Sequence, residues 1–136
     1  MLRFLFLIFF SISLFANDFR SVKNISLVKD EFVQIYISYG KQKKLFKLRW
    51  TLFANGGLVI HKSYAKIVSQ NILYLNHTNQ SIRQELKPKG TSYYNVPYLL
   101  IKFKEFDNQT LKAKFEIYLS DENVQINMHY LKKKNI

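Results

Sequence analysis

Apolar and polar residues alternate with a period of two along most of the chain, and no window carries a 3.6-residue stripe. Successive side chains of an extended strand point to opposite faces, so this spacing predicts strands with one buried and one wet face. Val33, Ile35, Ile37 and Tyr39 line one face of the first clear strand, with Phe32 and Tyr36 on the other, and Gly40-Lys41-Gln42-Lys43 supplies a turn. Phe46, Leu48, Trp50 and Leu52 then alternate with Lys47, Arg49 and Thr51, and Asn55-Gly56-Gly57 is a strong hairpin signal. A strand from Leu58 to Tyr64 follows, then a shorter apolar stretch at Ile72 to Leu75, a polar turn at Asn76 to Asn79 and a strand at Ser81 to Leu86.

In the last third, Leu99, Ile101 and Phe103 share one face. Leu111, Ala113, Phe115, Ile117 and Leu119 share a second, and Val124, Ile126, Met128 and Tyr130 a third. These read as three consecutive antiparallel strands. A three-residue loop, Asn108-Gln109-Thr110, sets Phe103 opposite Phe115 and Ile101 opposite Ile117; on the outer face it sets Lys102 opposite Glu116 and Lys104 opposite Lys114. A slip of one residue would turn every apolar side chain outward. No repeat or linker interrupts residues 17–136. The expected fold is therefore all-β: a single domain of about eight antiparallel strands, as a sandwich or a partly closed barrel.

The first sixteen residues follow a different rule. Arg3 is a short basic start, Phe4 to Phe15 is apolar except for Ser11 and Ser13, and Ala16 is a small residue at a cleavage position. That is the pattern of a secretory signal peptide over residues 1–16. The apolar run is about 12 residues long, short of the roughly 18–20 that cross a bilayer. No cysteine follows, so the expected product is a soluble exported protein, with a bacterial periplasm the best fit.

Composition narrows the picture further. With no cysteine to form disulfides, stability must come from the 48% hydrophobic content. The net charge of +12, less Arg3, leaves +11 on the mature domain, and lysine supplies 17 of the 21 basic residues. Lys, Asn, Ile, Phe and Tyr all use A/T-rich codons, so base composition alone could supply part of that charge. The field nonetheless favours anionic lipid, anionic glycan or acidic protein, and export argues against nucleic acid as a partner.

Catalytic chemistry has little support. His61, His77 and His129 form no metal-ligand spacing, and no GxSxG, SxxK or Cys-His arrangement occurs. A two-residue Asn55-Gly56 loop would place His61 opposite Trp50, whereas a three-residue loop would turn it to the other face. Glu105 falls on the inward phase after Phe103, at a strand end where water reaches it. No catalytic residue, metal or cofactor is assigned.

Two segments are candidate binding sites. The loop from Lys87 to Pro97 combines Lys87 and Lys89 with the adjacent Tyr93 and Tyr94, aromatic area that could stack on a sugar, insert between acyl chains or lid the core. Lys102, Lys104, Lys112 and Lys114 form a second patch on an outer sheet face, with Tyr98 and Tyr118 nearby. The tail Lys132-Lys133-Lys134 adds charge and allows peripheral membrane contact. The sequence thus points to a non-enzymatic periplasmic domain that binds a partner protein or envelope component, the alternative being a carrier of anionic lipid or glycan. Intact-mass analysis of the exported protein should find Asn17 as the first residue, and a species retaining residues 1–16 in the membrane fraction would overturn this reading.

Overall fold

The computed structural model describes residues 19–87, 95–122 and 124–131. The signal-peptide segment 1–16, the tail lysines 132–134, and Lys89, Tyr93 and Tyr94 lie outside them. Among the described residues nine strands form: β1 (Phe19–Val28), β2 (Val33–Tyr39), β3 (Gln42–Ala54), β4 (Gly57–Tyr64), β5 (Ile67–Tyr74), β6 (Ser81–Glu85), β7 (Tyr98–Asp107), β8 (Lys112–Ser120) and β9 (Asn127–Tyr130). One 3-10 turn, Thr78–Gln80, joins β5 to β6. The strands build two antiparallel sheets, one ordered β1-β8-β7-β6 and the other β5-β4-β3-β2-β9. They stack as a sandwich and do not close into a barrel.

The hairpins of the five-stranded sheet follow from turn chemistry. Gly40 (φ 55°) and Lys41 link β2 to β3 between Tyr39 and Gln42. Asn55 (φ 53°) and Gly56 (φ 78°) link Ala54 to Gly57, the two positive φ values that match the twist of the flanking strands. The next turn uses Ala65 (φ 50°) and Lys66 (φ 69°), residues that carry no turn signal. For that reason the sequence pattern starts the fifth strand near Ile72, whereas it runs from Ile67.

Ile35, Ile37, Phe46, Leu48, Leu58, Ile60 and Leu73 of the five-stranded sheet meet Leu27, Leu99, Ile101, Phe103, Phe115 and Ile117 of the other, all essentially inaccessible to water. Buried hydrogen bonds tie one sheet to the other. Trp50 Nε1 donates to Leu27 O at 2.7 Å, and Tyr64 Oη donates to Leu86 O at 2.8 Å. At one end Phe53 stacks on Phe106 with centroids 4.1 Å apart, and Trp50 meets the same ring edge-on at 5.5 Å.

Four details depart from the sequence pattern, three of them through local irregularities. In β3 the register shifts between Trp50 and Leu52, so Thr51 is the extra residue of a bulge, Leu52 turns outward at 53% exposure and Phe53 turns in. The same bulge sets His61 opposite Arg49, not Trp50, although the loop does have two residues. A second bulge, between Phe103 and Glu105, combines with a loop of residues 108–111 in place of three. Phe103 still faces Phe115 and Lys102 faces Glu116, but Lys104 does not face Lys114, because Glu105 takes that place. Asp107 Oδ1 accepts from the Gln109 and Thr110 amides at 2.9 and 3.3 Å, and Leu111, at φ 54°, closes the loop outside the core.

The last difference is topological. The third of the final strands pairs with β2, not β8, because β8 already has β7 on one side and β1 along the other. The main-chain carbonyl of buried Asp121 accepts from the Val124 amide at 2.9 Å in the turn that carries the chain to the other sheet. Val124 and Ile126 precede the short β9 and are not part of it.

Trp50 is only 4% exposed and joins both the aromatic cluster and the inter-sheet bond. Trp50→Ala should therefore cost about 3–5 kcal/mol in chemical denaturation, and a loss below about 1 kcal/mol would contradict this packing.

Candidate functional site

A sandwich of two open sheets leaves two flanks where edge strands of opposite sheets lie side by side. On the flank formed by β5 and β6, the inward phase of β4 runs Leu58, Ile60, Lys62, Tyr64, so a lysine occupies a position where the strand pattern calls for an apolar side chain. Gln84, inward on β6, accepts from Lys62 Nζ at 2.5 Å. Among the described residues no carboxylate lies within ion-pair distance of Lys62. Burial pushes its ammonium below the usual lysine range.

Beside this pair a groove of about 640 Å³ opens to solvent. Tyr64 and Leu86 line its inner end and Ile67 and Ser69 its β5 side. Lys44, Lys62, Arg83 and Lys87 bring four cations to it against the single carboxylate of Glu85, which lies 3.5 Å from Lys87 Nζ. Lys44 Nζ sits 5.8 Å from the centre of the Tyr64 ring, and the Arg83 guanidinium lies 3.7 Å over Tyr98. Burial pushes the Tyr64 hydroxyl up to about 12. It therefore remains a hydrogen-bond donor across the ordinary pH range. Further along β5, Asn71 Oδ1 is buried without a hydrogen-bond partner.

The lysine patch read from the sequence is assembled, but with a different electrostatic character. Lys104 Nζ lies 3.5 Å from Glu116 and Lys114 Nζ 3.5 Å from Glu105, while Lys112 stands opposite Asp107. Tyr118 Oη donates to Glu116. Three carboxylates thus interleave with the four lysines. Such exposed pairs contribute little stability, about 0–1 kcal/mol each, but they cancel much of the local field. Among the described residues, Lys87 is the one predicted binding residue that the fold brings to the cationic groove.

A second depression, about 630 Å³, lies at the bulged end. Trp50, Phe53 and Phe106 line it, with Leu52 and Leu111 exposed beside it and Lys29 at its edge. The histidines do not converge: His61 stands on the outer face of β4, His77 beside the 3-10 turn and His129 on the outer face of β9. Among the described residues no group of three or more His, Cys, Asp or Glu could hold a metal ion, and no helix is long and apolar enough to cross a membrane.

No protein-family model, curated protein or solved structure matches the chain.

The sequence reading did not single out Lys62, Lys44, Arg83 or Gln84. Lys62 was detectable in principle, as a charge on the apolar phase of a strand, but the juxtaposition of β4 with β6 was not. An ammonium held half-buried against a neutral amide disfavours folding. Lys62→Met is expected to stabilise the protein by up to about 1 kcal/mol at pH 7, a modest figure because solvent still screens the group. Because burial lowers this pKa, the wild-type deficit is fullest where Lys62 is charged. The advantage of the variant should shrink as pH approaches the ordinary lysine value of 10.5. Denaturant midpoints at pH 7 and pH 10 test this, and a destabilised variant at both would mean that Lys62 serves the fold.

Proposed function

We propose that this chain is an exported, non-enzymatic β-sandwich that binds an envelope protein along the flank between β5 and β6. The observation that carries the reading is Lys62, a charge on the inward phase of β4 that lines an open groove with three other cations. Groups that disfavour folding yet occupy a cleft are candidates for work outside the fold. Export rests on the signal-like residues 1–16. Two features support a partner protein over a carried small molecule. The inner faces are filled by large side chains such as Phe46, Phe103 and Phe115, and the depressions described lie at rims, where they are open to solvent.

The notch at the bulged end favours the alternative. Three aromatic rings with a lysine at the edge form a place where an acyl chain could lie with its anionic headgroup at Lys29.

Photo-crosslinking in the intact envelope separates the two. A crosslinker at Arg83 or Lys87 is expected to yield one reproducible protein adduct, while a crosslinker at His129, on the far edge strand, yields none. Native mass spectrometry of the gently released protein is expected to show no lipid or glycan adduct. A lipid mass that disappears in Leu111→Asp would replace this reading with the carrier.

A further inference from the structure

The sandwich has four edge strands, β1 and β6 in one sheet and β5 and β9 in the other. An edge offers a row of unpaired amides and carbonyls to any other strand, and proteins guard such rows with charge, short length, irregularity or inward-facing lysine. Three of these edges are guarded. β9 has four residues, and β6 has five with Arg83 and Glu85 among them. β1 is irregular near its start, and its Lys23 turns in to sit 3.8 Å over the Tyr130 ring. β5 is different: its eight residues, Ile67–Tyr74, contain no charge and no proline. From position 67 to 82 the chain has no Asp, Glu, Lys or Arg at all, in a protein that is 22% charged.

The phase of this edge follows from its turn. Tyr64 and Ile67 flank the two-residue loop and form the hydrogen-bonded pair next to it. Bonded pairs then recur at every second residue, so Ile67, Ser69, Asn71 and Leu73 direct their backbone groups to β4. Val68, Gln70, Ile72 and Tyr74 direct theirs to the open edge. The side chains of this second set lie on the outer sheet face, where Val68 is 71% and Ile72 46% exposed. Those of the first set turn toward the other sheet, and Ile67 and Ser69 border the cationic groove.

We infer that β5 accepts a strand from the partner protein, an extended segment in which apolar and acidic residues alternate. The inference rests on the reading of this flank as a partner-protein site. Residues of the added strand opposite Val68, Gln70 and Ile72 share the outer face and extend its apolar row. Their neighbours opposite Ile67 and Ser69 point at the groove, where Lys62 and Lys44 call for carboxylates. A second copy of this chain fits less well. Its own β5 brings no carboxylate, and it would set a second strongly basic domain beside the first.

The test uses an end-capped synthetic peptide of about eight residues, enough to span β5, alternating valine and glutamate, with a lysine-for-glutamate peptide as control. Binding is followed by fluorescence anisotropy and by amide spectra of the isotope-labelled protein. The glutamate peptide is expected to bind saturably and less tightly in high salt, with the Val68, Gln70, Ile72 and Tyr74 amides shifted and protected from exchange; the lysine peptide is not. Gln70→Pro removes an amide that faces only the open edge. It should leave the thermal midpoint within a few degrees and weaken binding about tenfold, as loss of about one hydrogen bond implies. Should that variant fail to fold, Val68→Lys, an edge guard at an exposed site, must weaken binding likewise. Binding that ignores both variants and protects nothing on β5 overturns strand addition while leaving the partner reading to its own crosslinks. No saturable binding of the glutamate peptide also overturns it. So does self-association in sedimentation that Gln70→Pro abolishes, which would make a second copy the occupant.

Discussion

Everything else in this molecule depends on two flat apolar faces pressed together without a covalent tie. With no cysteine in the chain, the sheets are held by burial of aliphatic and aromatic side chains and keyed by the hydrogen bonds of Trp50 and Tyr64. Burial is strong but has little directional preference. The two hydrogen bonds are directional. Each pairs a polar atom on a large ring with a main-chain carbonyl of the opposite sheet, so sliding the sheets would leave buried polar groups unpaired at both flanks.

The same arrangement explains why the candidate site lies on a flank and not inside. Stacked sheets fill their interior, and the space that remains lies where edge strands face each other or where bulges pull strands apart. One flank is closed by Lys23 over Tyr130 and by the Trp50 bond. The other has Tyr64 as its only buried inter-sheet hydrogen bond among the described residues, and beyond it the inner face becomes polar: Lys62, Gln84, Ser69 and Asn71. Apolar packing gives way to polar and cationic side chains at the same place.

Charge on this protein is therefore not one uniform coat. On the outer face of the four-stranded sheet Lys104 and Lys114 meet Glu116 and Glu105 and Lys112 stands opposite Asp107, whereas in the flank groove no carboxylate among the described residues lies within ion-pair distance of Lys44, Lys62 or Arg83. A net charge is a sum. Which lysines remain available to an anionic partner is decided by their neighbours across strands and across sheets.

Strand character and most inward phases are local properties, set by alternation and by turn residues such as Asn55-Gly56, and the sequence by itself determined them; Phe103 faces Phe115 only because the Lys104 bulge offsets a loop one residue longer than the pattern implies. It also determined the chemistry available, rich in lysine and tyrosine and without thiols. The bulges at Thr51 and Lys104 were not legible, because a bulge adds one residue without altering composition, and its effect appears only when Leu52 and Glu105 are found facing water. The turn at Ala65-Lys66 was hidden because ordinary residues take positive φ there, between the paired Tyr64 and Ile67. β9 could not be placed from its own pattern, since its partner depends on which edges remain free after β1 has docked on β8. The groove is the plainest case: Lys62 and Gln84 are 22 residues apart on different sheets, and only the stacking of those sheets brings ammonium and amide to 2.5 Å.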